Sequence, residues 1–126
     1  MHNKTKRGFT LIELLVVMAI IATLLTIAVP RYLHSVDRSK EQVLRHNLTQ
    51  TREALDKYFG DNGKYPDALE DLVSKKYLRG LPYDPITESN STWQTIAPIG
   101  ADIGGVYDIK SGAQGKTLDG TEYGDL

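Results

Sequence analysis

From Leu14 to Val29 the chain runs for sixteen residues without a charge, and a single carboxylate, Glu13, heads that run. Phe9 to Val29 is 21 residues, which as a helix rising 1.5 Å per residue spans about 31 Å. That length matches the roughly 30 Å hydrocarbon core of a bilayer. An ionisable side chain in such a segment is expensive, roughly 2.5–3.5 kcal/mol at a membrane centre for Asp, Lys or Arg. A chain that carries Glu13 there needs something to offset that cost.

The flanks orient the segment. Lys4, Lys6 and Arg7 precede it with no acidic residue among them, so the positive-inside rule leaves this end in the cytoplasm. Arg31, Arg38 and Lys40 follow on the far side, but they lead into what reads as a soluble domain. Three plainer readings compete. A secretory signal peptide has an apolar run of about 7–15 residues and a small-residue cleavage site; here the run is longer and Ala28-Val29-Pro30-Arg31 is a poor site. A simple anchor fits the length but explains neither Glu13 nor the Gly8-Phe9 step. A buried core helix would need a larger domain to enclose it.

The string Arg7-Gly8-Phe9-Thr10-Leu11-Ile12-Glu13-Leu14-Leu15 resembles the leader of type IV pilins and of the pseudopilins of type II secretion. The resemblance implies cleavage by a membrane peptidase after Gly8, N-methylation of the new terminus at Phe9, and a helix-kinking proline at Pro30. It implies an α+β fold in which a long N-terminal helix packs on a small antiparallel sheet. Its first half spans the membrane and its second half is amphipathic. Three segments follow: a leader at 1–8, a transmembrane and assembly helix at 9–30, and a periplasmic globular domain at 31–126. Cleavage creates a cationic amine at Phe9, and methylating it keeps the charge. In a filament, Glu13 of one subunit would neutralise the Phe9 amine of its neighbour, each charge offsetting part of the other's desolvation. Pairing within its own chain, or snorkelling to the headgroups, stays open from the residues alone.

Composition narrows the partners. The chain has 126 residues, net charge −1 and no cysteine. Without the three cations of the leader, 12 basic residues face 16 acidic ones. That acidity argues against nucleic acid, which calls for a clustered basic face. About a hundred residues beyond the anchor suffice for one small domain. Many type IV pilins close their C-terminal region with a disulfide, so the missing cysteines lean toward the pseudopilin.

Past Pro30 the helical pattern continues to Phe59. Leu44, Leu48, Leu55 and Phe59, with Thr51 between, recur at three-to-four spacing and predict a core stripe. Arg38, Lys40, Glu41, Arg45, Gln50, Arg52, Glu53 and Lys57 are expected on solvated faces. Pro30 removes a helical hydrogen bond and is expected to bend or locally melt the helix. Gly60 suits a left-handed cap. A short helix should start at Asp67, with Leu69, Leu72, Val73 and Tyr77 on one face, and end at Gly80. Thr92–Ala97 and Val106–Lys110 read as strands around a turn at Pro98–Gly105. The tail from Ser111 to Leu126 is too poor in apolar residues for another long strand. Asp61-Asn62-Gly63-Lys64-Tyr65-Pro66, Leu81-Pro82-Tyr83-Asp84-Pro85 and Val106–Gly112 also resemble segments of major pseudopilins.

Acidic residues gather late, at Asp102, Asp108, Asp119, Glu122 and Asp125. The resemblance implies a calcium site between the last strands, with Ser111, Asp119 and Asp125 as candidates. Gln114 departs from the pattern, and Asp119-Gly120 is also an ordinary turn signal. Catalysis finds no foothold: cysteine is absent, His2, His34 and His46 lack metal-ligand spacing, and no serine lies in a G-x-S-x-G context. The expected partners are lipid before assembly, further copies of the chain in a helical filament, the prepilin peptidase, an inner-membrane secretion platform and minor pseudopilins. A type IV pilin for adhesion, motility or DNA uptake is the alternative, and a monomeric membrane-anchored binding domain a third reading.

Overall fold

A computed structural model describes residues 7–100 and 103–126. The arrangement is α+β: one long helix, a short second helix, a two-stranded antiparallel sheet and a final 3₁₀ turn. The chain forms two compact units, one ending at Val36 and the other running from Asp37 to Leu126.

Helix α1 runs from Leu11 to Asn62, 52 residues in all. Its backbone stays helical across Pro30, so of the two outcomes expected there, a bend or local melting, melting does not occur. The cost of the missing amide falls on one carbonyl, that of Thr26, four residues earlier. Termination also differs from expectation. Gly60 lies inside the helix, and the left-handed residue is Gly63 at φ 72°, whose N–H reaches back to the Phe59 carbonyl at 2.8 Å. Glycine adopts that conformation without steric penalty.

In the Asp37–Leu126 unit the buried stripe of α1 is Glu41, Leu44, Leu48, Thr51, Leu55 and Tyr58, with Ala54 beside it. Tyr58 takes the place expected for Phe59, which is 38% exposed. The alternating four- and three-residue steps keep one face inward, and Phe59 falls off it. Against this stripe pack Leu69, Leu72, Val106 and Ile109, with Tyr77, Leu78, Leu81, Ile86, Trp93 and Tyr123 at the margin.

Helix α2 is only Leu69–Ser74, shorter at both ends than expected. The Asp71 carboxylate accepts from the amides of Asp67 and Ala68 and so starts the helix later. Lys76 at φ 65° turns the chain out, and the amides of Tyr77 and Leu78 both donate to the Leu72 carbonyl. The chain then crosses α1, where Asn47 donates to the Tyr83 carbonyl at 2.6 Å and the Trp93 indole to the Pro82 carbonyl at 2.7 Å.

Strands β1 (Gln94–Ile96) and β2 (Asp108–Lys110) pair antiparallel with Thr95 opposite Ile109. They are the cores of the longer strands expected, trimmed because the chain leaves the ladder for other partners. Val106 donates its amide to the Pro66 carbonyl, and Tyr107 donates to Ile96. Gly104, at φ 102°, passes so close to Tyr65 that a Cβ would sit 2.0 Å from the Tyr65 carbonyl oxygen. The tail forms a narrow loop closed by a bridge between Lys116 and Glu122, then a 3₁₀ turn at Tyr123–Asp125.

Candidate functional site: the N-terminal assembly segment and the C-terminal loop

The head of α1 is built by a reciprocal pair. The Glu13 amide donates to the Thr10 hydroxyl at 3.1 Å, and the Thr10 amide donates to the Glu13 carboxylate at 3.4 Å. This is a capping box, in which each side chain satisfies a backbone donor that the helix leaves orphaned. Sequence reasoning passed over Thr10, although Thr10-Leu-Ile-Glu13 is the T-x-x-E signature. The carboxylate also sits at the positive end of the helix dipole, where a negative charge is favoured.

Everything else in this segment faces outward. Phe9 is 87% exposed, and the large apolar side chains from Leu11 to Val29 are all open. Among the described residues one helix is long and apolar enough to cross a membrane. Among the described residues Glu13 belongs to neither ion pair, Arg45–Asp119 nor Arg52–Asp108. Gly8 is exposed, and a Cβ there would meet nothing within 4 Å. The fold of this chain therefore makes no demand for glycine at position 8. Lys4 and Lys6 of the leader, and Asp102 of the late acidic group, lie outside the described residues.

The three candidate calcium ligands do not all converge: Ser111 stands apart from Asp119 and Asp125. Ser111 is buried and donates its hydroxyl to the Asp84 carboxylate at 2.5 Å. Asp84, also buried, accepts from the amides of Ile86 and Thr87 with its other oxygen. Asp119 and Asp125 line a different cleft of about 470 Å³, shared with Arg45 and Arg52. There Asp119 accepts from the Thr117 hydroxyl and the Thr121 amide, and its second oxygen lies 3.7 Å from Arg45. The Thr117 hydroxyl chiefly, then the Thr121 bonds, hold the Asp119 carboxyl below the usual aspartate range. No group of three His, Cys, Asp or Glu gathers among the described residues. Calcium takes six to eight oxygens, and a cleft whose walls carry two guanidinium groups does not fit it.

Two charged residues expected on solvated faces of α1 are instead structural. Glu41 is 8% exposed and accepts from the Leu118 amide at 2.6 Å. Arg52 donates to Asp108 at 2.8 Å, to the Ile109 carbonyl at 3.1 Å and to the Leu126 carbonyl at 2.8 Å. His34 and His46 are exposed on α1 as expected.

Comparison with known proteins covers most of the chain. Residues 3–29 match the prokaryotic N-terminal methylation motif. The type II secretion system core protein G of Pseudomonas aeruginosa is 34% identical, the match covering 92% of this chain and 89% of that protein. The core protein G of Klebsiella michiganensis is 32% identical over 68% of this chain and 71% of its own. The type IV major pilin PilA of Myxococcus xanthus is 37% identical, but over 56% of this chain and 32% of that pilin. No solved structure matches significantly. The match to core protein G thus runs through the capped apolar helix and the domain behind it, and the chain belongs to the type II secretion system core protein G family.

Proposed function

We propose that the chain is the precursor of a structural subunit of a pseudopilus that drives protein export in type II secretion. The observation that carries the reading is the exposed apolar helix headed by Glu13, in a chain alike to core protein G nearly end to end. In the membrane, lipid covers the side chains from Leu11 to Val29. Outside it only neighbouring helices can, so the same surface that anchors the subunit binds it to further copies. The apolar area is non-directional and leaves the axial register undetermined. The pairing of Glu13 with a neighbour's Phe9 amine sets that register.

The prepilin peptidase cuts after Gly8, a glycine that the fold itself does not require. Phe9 is then methylated. The capping box holds the Glu13 carboxylate at the head of its own helix, solvated by the Thr10 amide until a neighbour's cation arrives. Residues 1–8 are the leader, 9–30 the assembly helix kinked at Pro30, and 31–126 the periplasmic domain, with the N-terminus cytoplasmic. An inner-membrane platform and minor pseudopilins recruit the subunit. The type IV pilin reading is weaker because the likeness to PilA covers little more than half of the chain, and a fimbrial protein matched over 94% of it is 29% identical against 34% for core protein G.

The test is production of the full chain with its peptidase, followed by mass spectrometry of the amino terminus and filament sedimentation. A mature terminus at methylated Phe9 is expected. Glu13→Ala should be cleaved normally and fail to enter filaments. A mature protein retaining Met1, or normal assembly of Glu13→Ala, overturns the proposal.

A further inference from the structure

We infer that this chain closes its C-terminal loop onto α1 with protein groups in place of the calcium ion that the resemblance implies, so that the loop stays docked without a divalent cation. Glu41, Arg45 and Arg52 lie four and seven residues apart with Leu48 between them, a spacing that puts them along one side of the helix. Each holds a different point of the last segment. Glu41 takes the Leu118 amide, Arg45 faces Asp119, and Arg52 takes the Leu126 carbonyl while bridging to Asp108 at the sheet. A buried carboxylate such as Glu41 needs a donor to offset its desolvation, and that donor comes from the loop itself.

The loop is also closed internally. The Thr117 amide donates to the Thr121 carbonyl at 2.7 Å, the Gly120 amide to the Thr117 carbonyl at 3.0 Å, and Asp119 gathers the Thr117 hydroxyl and the Thr121 amide. A calcium ion in such a loop would gather oxygens and balance their charge. Here Arg45 and Arg52 already bring two positive charges to the cleft that Asp119 and Asp125 line. A divalent cation would be repelled by both, and the Asp119 oxygen left open to it is the one that faces Arg45 at 3.7 Å. Gln114, standing outside the family pattern, offers no carboxylate in compensation.

The experiment is thermal unfolding of the full chain in detergent, followed by the near-ultraviolet signal of Trp93, in EDTA and in excess CaCl₂. Deuterium uptake of residues 115–126 is measured in both. A structural calcium at a hundredfold excess over its dissociation constant would raise Tm by roughly 10–20 °C for a unit of this size. The expected shift is below about 2 °C, with the segment equally protected in EDTA. A larger rise, or protection appearing only with calcium, overturns the inference. Glu41→Ala should speed exchange of the segment in EDTA. Should that variant not fold, Arg45→Met, at an exposed position, should do the same to a smaller degree. Unchanged exchange in Arg45→Met and in any folded Glu41→Ala would also overturn it.

Discussion

Arg52 offers the sharpest energetic test, because a solvated-face residue and a structural hub differ by several-fold in what their loss costs. The ion pair with Asp108 is about a third exposed on each side, 35% and 27%. Solvent screening therefore holds it to about 1 kcal/mol at most. The two bonds to the Ile109 and Leu126 carbonyls, at 3.1 and 2.8 Å, contribute about 0.5–1.5 kcal/mol each. Part of that is offset because the long arginine side chain no longer has to be ordered. Arg52→Ala should then cost about 2–3 kcal/mol, lowering Tm by roughly 8–20 °C for a domain of this size. Arg52→Lys keeps the charge but not the fork that spans three acceptors, and should recover only the smaller part. Thermal unfolding of the full chain in detergent, with Asp108→Asn completing a double-mutant cycle, measures both terms. An Arg52→Ala variant within about 0.5 kcal/mol of the parent, the usual range for surface substitutions, would refute the reasoning.

Leu48→Ala, at a site 1% exposed in the centre of the stripe, should cost about 2–5 kcal/mol by denaturant unfolding. Gly104→Ala should be more damaging than a typical loop change, since its Cβ would collide with the Tyr65 backbone; loss of the near-ultraviolet signal at moderate temperature would register it. The depressed Asp119 carboxyl makes a pH prediction. A carboxylate whose folded pKa lies below its unfolded value stabilises fully above the unfolded value and loses that contribution as pH falls through the folded one. Acid titration of Tm should therefore show a shallow loss below about pH 4 that Asp119→Asn removes.

What was legible in the sequence follows from the range of the forces involved. Leu44, Leu48 and Leu55 could be placed because helical periodicity is local, and the proposal for Gly8, Phe9 and Glu13 could be drawn because their pattern is contiguous. Thr10 was equally legible, its partner being three residues away. Glu41 and Arg52 were not. Their partners lie 77 residues on, at Leu118, and 56 to 74 residues on, at Asp108, Ile109 and Leu126. Nothing local distinguishes a charge that meets the tail from one that meets water. Gly60 and Gly63 were both fit to end α1. The choice fell to Gly63 after the helix had gained another turn, with Asn62 donating to the Tyr58 carbonyl and to the Tyr77 hydroxyl. Ser111 looked like a calcium ligand only so long as its bond to Asp84, 27 residues earlier, was out of sight.

In the proposed assembly Glu13 exchanges its own helix cap for a neighbour's amine. The most direct measurement is the position of that carboxylate in a high-resolution structure of the assembled filament. The Glu13 carboxylate should lie within about 4 Å of the methylated Phe9 amine of an adjacent subunit. A carboxylate still bound to Thr10 of its own chain, with the neighbour's amine paired elsewhere, would contradict it.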